Sequence, residues 1–319
     1  MFEALANIDD VRLNFSPEGL LFMNITLAFI MFGVALEIKT DSFKKLLYNP
    51  KSAIIGVISQ VLILPGLTFL LILAIKPPAS IAMGMILIAA CPGGNISNFI
   101  SSLAKGNVAL SVSLTAFATL SATIITPANF AFWGGMYVRY YERVNHLNIP
   151  IEIDFLQMFQ TVFLLLGLPL MLGVWFSNKY PEITKRILKT VKISSVIVYL
   201  IFIVGALYAN WKYIPVYVLP IAVITVFFNA QTLLTGYAIA FFARVSRRDR
   251  RTISIETGIQ NSGLALVLIF NPKLFDANGG MAFMAAWWGI WQMISGIGLA
   301  LILSRIKLPE LIKVKERTN

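Results

Sequence analysis

Residues 252–270 read TISIETGIQNSGLALVLIF. That is close to the ~20 residues a helix needs to cross a bilayer. The one ionisable side chain in it is Glu256, five residues past Arg251 and well short of the far end. A carboxylate at that depth costs ~2.5–3.5 kcal/mol on insertion scales. It must either be protonated or meet a cation. No Lys, Arg or His lies at comparable depth in any apolar segment of the chain, so the cation is not part of the polypeptide. A protonated Glu bonded to a neighbouring carbonyl is the structural alternative. Around Glu256 the sequence is polar and glycine-bearing: Thr257, Gly258, Gln260, Asn261, Ser262 and Gly263 follow within seven positions.

The rest of the chain agrees with a membrane setting. Of 319 residues, 58% are hydrophobic and 13% charged, against about 25% charged in a soluble domain. Nine apolar segments can be marked, at 19–38, 52–75, 81–104, 108–133, 156–177, 193–210, 215–243, 252–270 and 281–304. Breakers separate them, among them Pro77-Pro78, Gly106-Asn107, Gly134-Gly135 and Gly279-Gly280. The 26 Lys and Arg residues sort into alternate loops, twenty on one side and six on the other. Basic loops stay cytoplasmic, so nine spans place the N-terminus outside and the C-terminus inside. The net charge of +11 is therefore a topology signal and no nucleic acid is expected as a partner. A lone Cys91 excludes an internal disulfide, and a lone His146 excludes a histidine metal cluster.

A second polar patch lies in segment 81–104: Cys91-Pro92-Gly93-Gly94-Asn95-Ile96-Ser97-Asn98. Pro92 lacks a backbone donor, and each glycine weakens a helix by ~1 kcal/mol. Either patch alone reads equally well as a packing kink. Together they sit five spans apart, an odd offset, so the two segments cross in opposite directions. Spans one to four and six to nine then form an inverted repeat, in which broken helices meet at mid-membrane and build a binding site. Non-helical backbone at that depth is tolerated where it is buried in protein or lines a wet cavity.

Other oxygens fit a hard-cation site. Ser111 and Thr115 are four apart and share a helix face, although alone they read as hydroxyls bonded back to their own helix. Gln60 is an isolated amide five residues before Pro65. One carboxylate among neutral oxygens suits a small monovalent ion, sodium above all.

At these residues the sequence resembles the bile acid:sodium symporter family. The motifs that carry the likeness are residues 91–98, the run Ala104-Lys105-Gly106-Asn107-Val108-Ala109-Leu110-Ser111-Val112, and Glu256-Thr257-Gly258-Ile259-Gln260-Asn261-Ser262-Gly263-Leu264-Ala265. Gln60 with Pro65 and the stretch 229–236 also match. The resemblance implies an all-α polytopic membrane protein with a panel (spans one, five and six) against a core (two, three, four, seven, eight and nine). It implies two sodium ions as co-transported partners. One site resembles Ser97, Asn98, Ser111, Thr115 and Glu256. The other resembles Gln60, Glu256, Thr257, Ile259 and Gln260, with backbone oxygen from Thr257 and Ile259. Substrate contacts implied are Asn261, Asn95 (where relatives often have Thr) and Gln292 (where a relative has His).

The expectation is a secondary active transporter, not an enzyme, that couples sodium to an organic anion by alternating access in the cell's inner (plasma) membrane. The anion is bile acid-like or a small carboxylate such as pantoate or a keto acid, and no obligate protein partner is expected. A proton-coupled carrier using Glu256 is the alternative, with a non-transporting sensor or an intramembrane enzyme behind it. The expected organisation is an outer tail (1–18), a first repeat (19–133), an outer loop (134–155), span five with the second repeat (156–304), and a cytoplasmic tail (305–319).

Overall fold

The computed structural model describes residues 5, 7–13, 17–36, 38, 50–94, 96–145 and 154–304. Among them the regular structure is helical throughout: α1 (Pro17–Ala35), α2 (Pro50–Ile75), α3 (Ala79–Ala90), α4 (Ile96–Leu103), α5 (Val108–Asn145), α6 (Phe155–Lys179), α7 (Pro181–Ala209), α8 (Ile214–Phe242), α9 (Arg247–Gly258), α10 (Ser262–Phe270) and α11 (Gly279–Ser304). Six of these, α1, α2, α5, α6, α8 and α11, are long and apolar enough to cross a membrane. Segments 81–104 and 252–270 are each two short helices with an extended break between them, α3–α4 and α9–α10. Segment 193–210 lies within α7.

The bilayer setting shows in what is left uncovered. Leu21, Ile25, Leu62, Leu70, Leu164, Leu172, Leu234 and Phe242 are all exposed on the outside of the helices. In water such a surface would drive aggregation; against lipid tails it is matched. α1 packs on α6 and α7, while α3, α8, α9, α10 and α11 pack on one another with α2, α4 and α5. The two groups meet through α1 with α10 and α6 with α5 and α10.

Local sequence explains the irregularities. In α2, Ser59–Ile63 forms a π turn ahead of Pro65. Pro65 has no N–H for the Val61 carbonyl, and Asn129 on α5 supplies the missing donor at 3.0 Å. α6 repeats the device, with a π turn at Phe163–Gly167 and Pro169 behind it. α5 differs from expectation. It runs through Gly134-Gly135, read above as a breaker, to Asn145, so the first part of the expected outer loop is helix. Two glycines cost about 2 kcal/mol of helix propensity. Packing of Trp133, Met136, Tyr137, Val138, Tyr140 and Tyr141 against the core outweighs it.

The segment before α1 is pinned to the starts of α3 and α11. Leu5 and Ile8 are fully buried. Gly279 donates its N–H to the Val11 carbonyl at 2.8 Å, and Leu13 donates to Ala277 at 3.0 Å. The Asp9 carboxylate accepts from the N–H groups of Ser80 (2.8 Å) and Ala79 (3.3 Å), the first residues of α3. α3 starts after Pro78, which has no capping side chain, so its orphan donors are satisfied from seventy residues away. Replacing an N-cap oxygen by a methyl costs about 1 kcal/mol. Asp9→Ala should lower the thermal midpoint of the purified protein by that margin, read by tryptophan fluorescence, and Asp9→Asn should recover part of it. An unchanged midpoint in both would remove Asp9 from the accounting.

Candidate functional site at the crossing of the broken helices

The two breaks touch. Pro92 disfavours helix at the residue before it, and Cys91 is extended (φ −69°, ψ 156°). On the other segment α9 ends at Gly258 and Ile259 is extended (φ −117°, ψ 105°). The freed backbones pair as a short antiparallel bridge between Gly93 and Gln260. Gly94 donates to the Ile259 carbonyl at 2.9 Å, and Asn261 donates to the Pro92 carbonyl at 2.8 Å. Main-chain groups that a straight helix would have satisfied internally are satisfied here by the partner break.

Glu256 sits in the last turn of α9 beside this bridge and is 1% exposed. Its carboxylate is met by three hydroxyls from two other helices. Ser97, in the first turn of α4, donates to Oε1 at 2.6 Å. Ser111 on α5 donates to the same oxygen. Thr115, one turn further along α5, lies 2.9 Å from Oε2. The Thr115 hydroxyl is also 3.3 Å from Ser97 Oγ and from Asn98 Oδ1. Ser97, Asn98, Ser111, Thr115 and Glu256, one expected set, are thus one cluster. Asn98 and Thr115 face a small pocket closed by Val34 and Ile38 of the α1 end. Among the described residues no ion pair involves Glu256, and no group of three or more His, Cys, Asp or Glu could hold a transition metal.

The second expected set lies on the other side of the same residue. Gln60, carried inward by the π turn, donates Nε2 to the Glu256 main-chain carbonyl at 3.3 Å. Gln260 donates Nε2 to the Thr257 carbonyl at 2.9 Å. Its Oε1 is buried and has no hydrogen-bond partner among the described residues. A buried unpartnered carbonyl oxygen is an acceptor in want of a donor or a cation. The Ile259 carbonyl is committed to Gly94. Glu256 therefore offers its carboxylate to one group and its backbone to the other. Gly93 lies between them: a Cβ there would come within 2.8 Å of Gln60 Nε2 and 3.3 Å of Glu256 Oε2.

Of the expected substrate contacts, Asn95 lies outside the described residues. Asn261 caps α10, its Oδ1 accepting from the Leu264 N–H at 3.0 Å. Gln292 is buried on α11 and bonded to the Gln260 main chain. Some residues that shape the site carried no role in the sequence reading. Ser59 pairs with the Thr257 hydroxyl at 2.9 Å. Asn229 on α8 donates to the Gly258 carbonyl at 2.9 Å, closing the end of α9, and accepts from Ser295 on α11. Asp249, set among arginines in the sequence, is 3% exposed in the first turn of α9. It accepts from Ser52 Oγ at 2.9 Å and from Asn107 Nδ2 at 2.7 Å, tying α9 to α2 and to the α4–α5 link. The signal for it was Ser246-x-x-Asp249, the spacing of a helix N-cap box.

Residues 24–217 match the sodium bile acid symporter family. The chain belongs to that family. It is 30% identical over 287 residues, 89% of this chain and 83% of the relative, to the uncharacterized sodium-dependent transporter YocS of Bacillus subtilis (strain 168). It is 28% identical over 264 residues to the P3 protein of Homo sapiens, covering 80% of this chain and 52% of that one. A probable chloroplastic sodium/metabolite cotransporter of Oryza sativa subsp. japonica is 27% identical over 248 residues, 76% of this chain and 55% of its own length. The chain thus spans about half the length of the human and rice relatives it matches. The family is one of transporters and not of enzymes.

A hydrogen bond to a buried charge contributes about 1.5–3 kcal/mol. Thr115→Val keeps the shape of the side chain and removes one donor to Glu256. It should destabilise the protein by about that amount in a Glu256 background and by much less in a Glu256→Gln background, where the charge is gone. Denaturation of the four proteins of this cycle in detergent gives the coupling, and equal losses in both backgrounds would show that the hydroxyl does not serve the carboxylate.

Proposed function

We propose that this protein is a secondary active transporter that couples the inward movement of sodium to uptake of an organic anion. The observation that carries the reading is Glu256: a buried carboxylate at the crossing of two broken helices, surrounded by neutral oxygens and without an ion-pair partner among the described residues. The set Ser97, Asn98, Ser111, Thr115 and Glu256 would hold one sodium ion. The set Gln60, Glu256, Thr257, Ile259 and Gln260 would hold another, with the unpartnered Gln260 Oε1 as its free acceptor. Both sets are made of carboxylate, amide, hydroxyl and carbonyl oxygens, the ligands hard cations take. The names of the relatives, a sodium-dependent transporter and a sodium/metabolite cotransporter, support the same reading.

Charge arithmetic sets the substrate class. Two sodium ions against one carboxylate leave +1. A monoanionic substrate makes the loaded core neutral, and a neutral core crosses between membrane-facing states at lower cost than a charged one. The N-termini of α4 and α10 open toward the crossing, and the positive dipole end of a helix favours a carboxylate or sulfonate. A small carboxylate such as a keto or hydroxy acid, or a bile acid-like anion, fits this description. Binding of sodium orders the crossing and prepares the anion site, which requires a coupling of ~1–3 kcal/mol.

The same reading takes the chain as nine spans in an inverted repeat, N-terminus outside and C-terminus cytoplasmic, in the plasma (inner) membrane. α1, α6 and α7 form the panel, and the remaining helices form the core that carries the ions. The contacts of α1 with α6 and α7 support this division.

A carrier that protonates Glu256 instead of binding sodium is the rival. A proton needs one oxygen, and the rival leaves unexplained why Ser97, Asn98, Ser111, Thr115 and Gln60 gather around Glu256, as the several oxygens of a cation site would. In proteoliposomes, replacing external sodium by choline at fixed pH should stop accumulation of an organic anion, and imposing a pH gradient in choline should not restore it. Glu256→Ala should abolish sodium-driven uptake while the protein remains folded. Uptake retained in choline, or in Glu256→Ala, would overturn the mechanism.

A further inference from the structure

Gln260 is bonded on almost every side. Its N–H donates to Gln292 Oε1 at 2.8 Å, and its carbonyl accepts from Gln292 Nε2 at 3.0 Å. Its carbonyl also accepts from the Ser262 N–H at 3.0 Å. Its side-chain nitrogen is committed to Thr257. Among the described residues Oε1 alone has no partner, in a residue that is 1% exposed. Gln292 comes from α11 and is 4% exposed. Its amide presents to Gln260 one acceptor and one donor, the pair a neighbouring β-strand would present. The extended run Ile259–Asn261 is thus held on one edge by Pro92–Gly94 and on the other by a single side chain.

From this geometry we propose that Gln292 is a positioning residue of the ion site: it fixes the Gln260 backbone, and so leaves Gln260 Oε1 as the oxygen offered to sodium. The proposal rests on the sodium reading above and assigns Gln292 to the ion, where the family resemblance implied a substrate contact. The physical reason is satisfaction of buried polar groups. Without Gln292, a buried N–H and a buried carbonyl lose their partners. Rotation of the Gln260 peptide or amide toward neighbouring groups then relieves them and withdraws Oε1. A residue must both donate and accept, at the reach of a Gln side chain, to prevent this. Methionine fills the same space and does neither. Asparagine has the amide but is one methylene short.

The test measures sodium binding by the purified protein in the absence of any organic substrate, by ²²Na scintillation proximity or by sodium-dependent tryptophan fluorescence, with choline as the inert cation. Gln292→Met and Gln292→Asn should each raise the sodium half-saturation about ten-fold or more. In proteoliposomes at saturating sodium, their substrate half-saturation should stay within two-fold of the parent. Because Gln292 acts through Gln260, adding Gln292→Met to Gln260→Met should weaken sodium binding no further. If either single variant folds and binds sodium as the parent does, the proposal is wrong, whatever happens to the substrate. A full additive loss in the double variant also overturns it, because Gln292 would then act on the ion by another route. A purely structural role would lower stability in choline and leave the sodium half-saturation in place. If the parent itself bound no sodium, the transport reading would fail first and take this proposal with it, so the two failures are distinguishable.

Discussion

A carboxylate held away from water must be solvated by something, and in this protein that need shapes the inner helices. Glu256 has no water-exposed face and no basic partner among the described residues. The cost of burying an unpaired charge is several kcal/mol even after relaxation. What lowers it is a set of hydroxyl dipoles, delivered by α4 and α5 to the carboxylate oxygens. These groups come from separate stretches of the chain, so each stretch must be brought by its own helix to within hydrogen-bond distance of one side chain.

Straight helices cannot do this alone. An intact α3–α4 would keep its backbone groups to itself and hold Ser97 on one fixed face. The break at Pro92–Gly94 lets α4 start beside Glu256, and the break at Ile259–Asn261 gives the first break a partner for its orphaned donors and acceptors. Each break is unfavourable by itself, and each satisfies the other. The same logic explains the close packing of α8 on α9. A Cβ at Gly236 would lie 2.6 Å from the Ile253 carbonyl oxygen, so the glycine allows the helix that bears Glu256 to sit against α8, where Asn229 closes its end. Asp249 and its partners anchor the other end of α9. Held at both termini, α9 has little freedom to slide, and packing sets the position of the carboxylate.

The sequence made the chemistry of this site more legible than its bracing. Glu256 announces itself because its cost is local and large. The Pro-Gly-Gly run does so because its effect on helix is intrinsic, and Ser111 with Thr115 because helical period puts them on one face. Each of these signals lies within a few residues of its cause. Asp9 capping α3, Asn129 answering the Val61 carbonyl and Gln292 holding Gln260 join residues 71, 68 and 32 positions apart. No periodicity reports such pairs, since any polar residue at those positions reads the same until the fold brings its partner. The helix through Gly134-Gly135 failed for the opposite reason: propensity is legible, but the aromatic packing that overrides it is tertiary. Asp249 was hidden by its neighbours, since an acid among five arginines reads as a solvated loop.

On the sodium reading proposed above, the choice of hydroxyls around the carboxylate has a consequence for coupling. A hydroxyl donates and accepts through the same atom. Turned one way, Ser97, Ser111 and Thr115 solvate the negative charge. Turned the other, they present lone pairs to a cation that the same charge attracts. The exchange requires rotation about single bonds and no large displacement of backbone. An ammonium or guanidinium in their place would neutralise Glu256 permanently and remove the attraction for an ion. A ring of carboxylates would bind the ion too tightly to release it. Neutral groups that serve either charge keep both conditions of the carboxylate within reach, and that is what a site needs if it is to load on one side of a membrane and empty on the other.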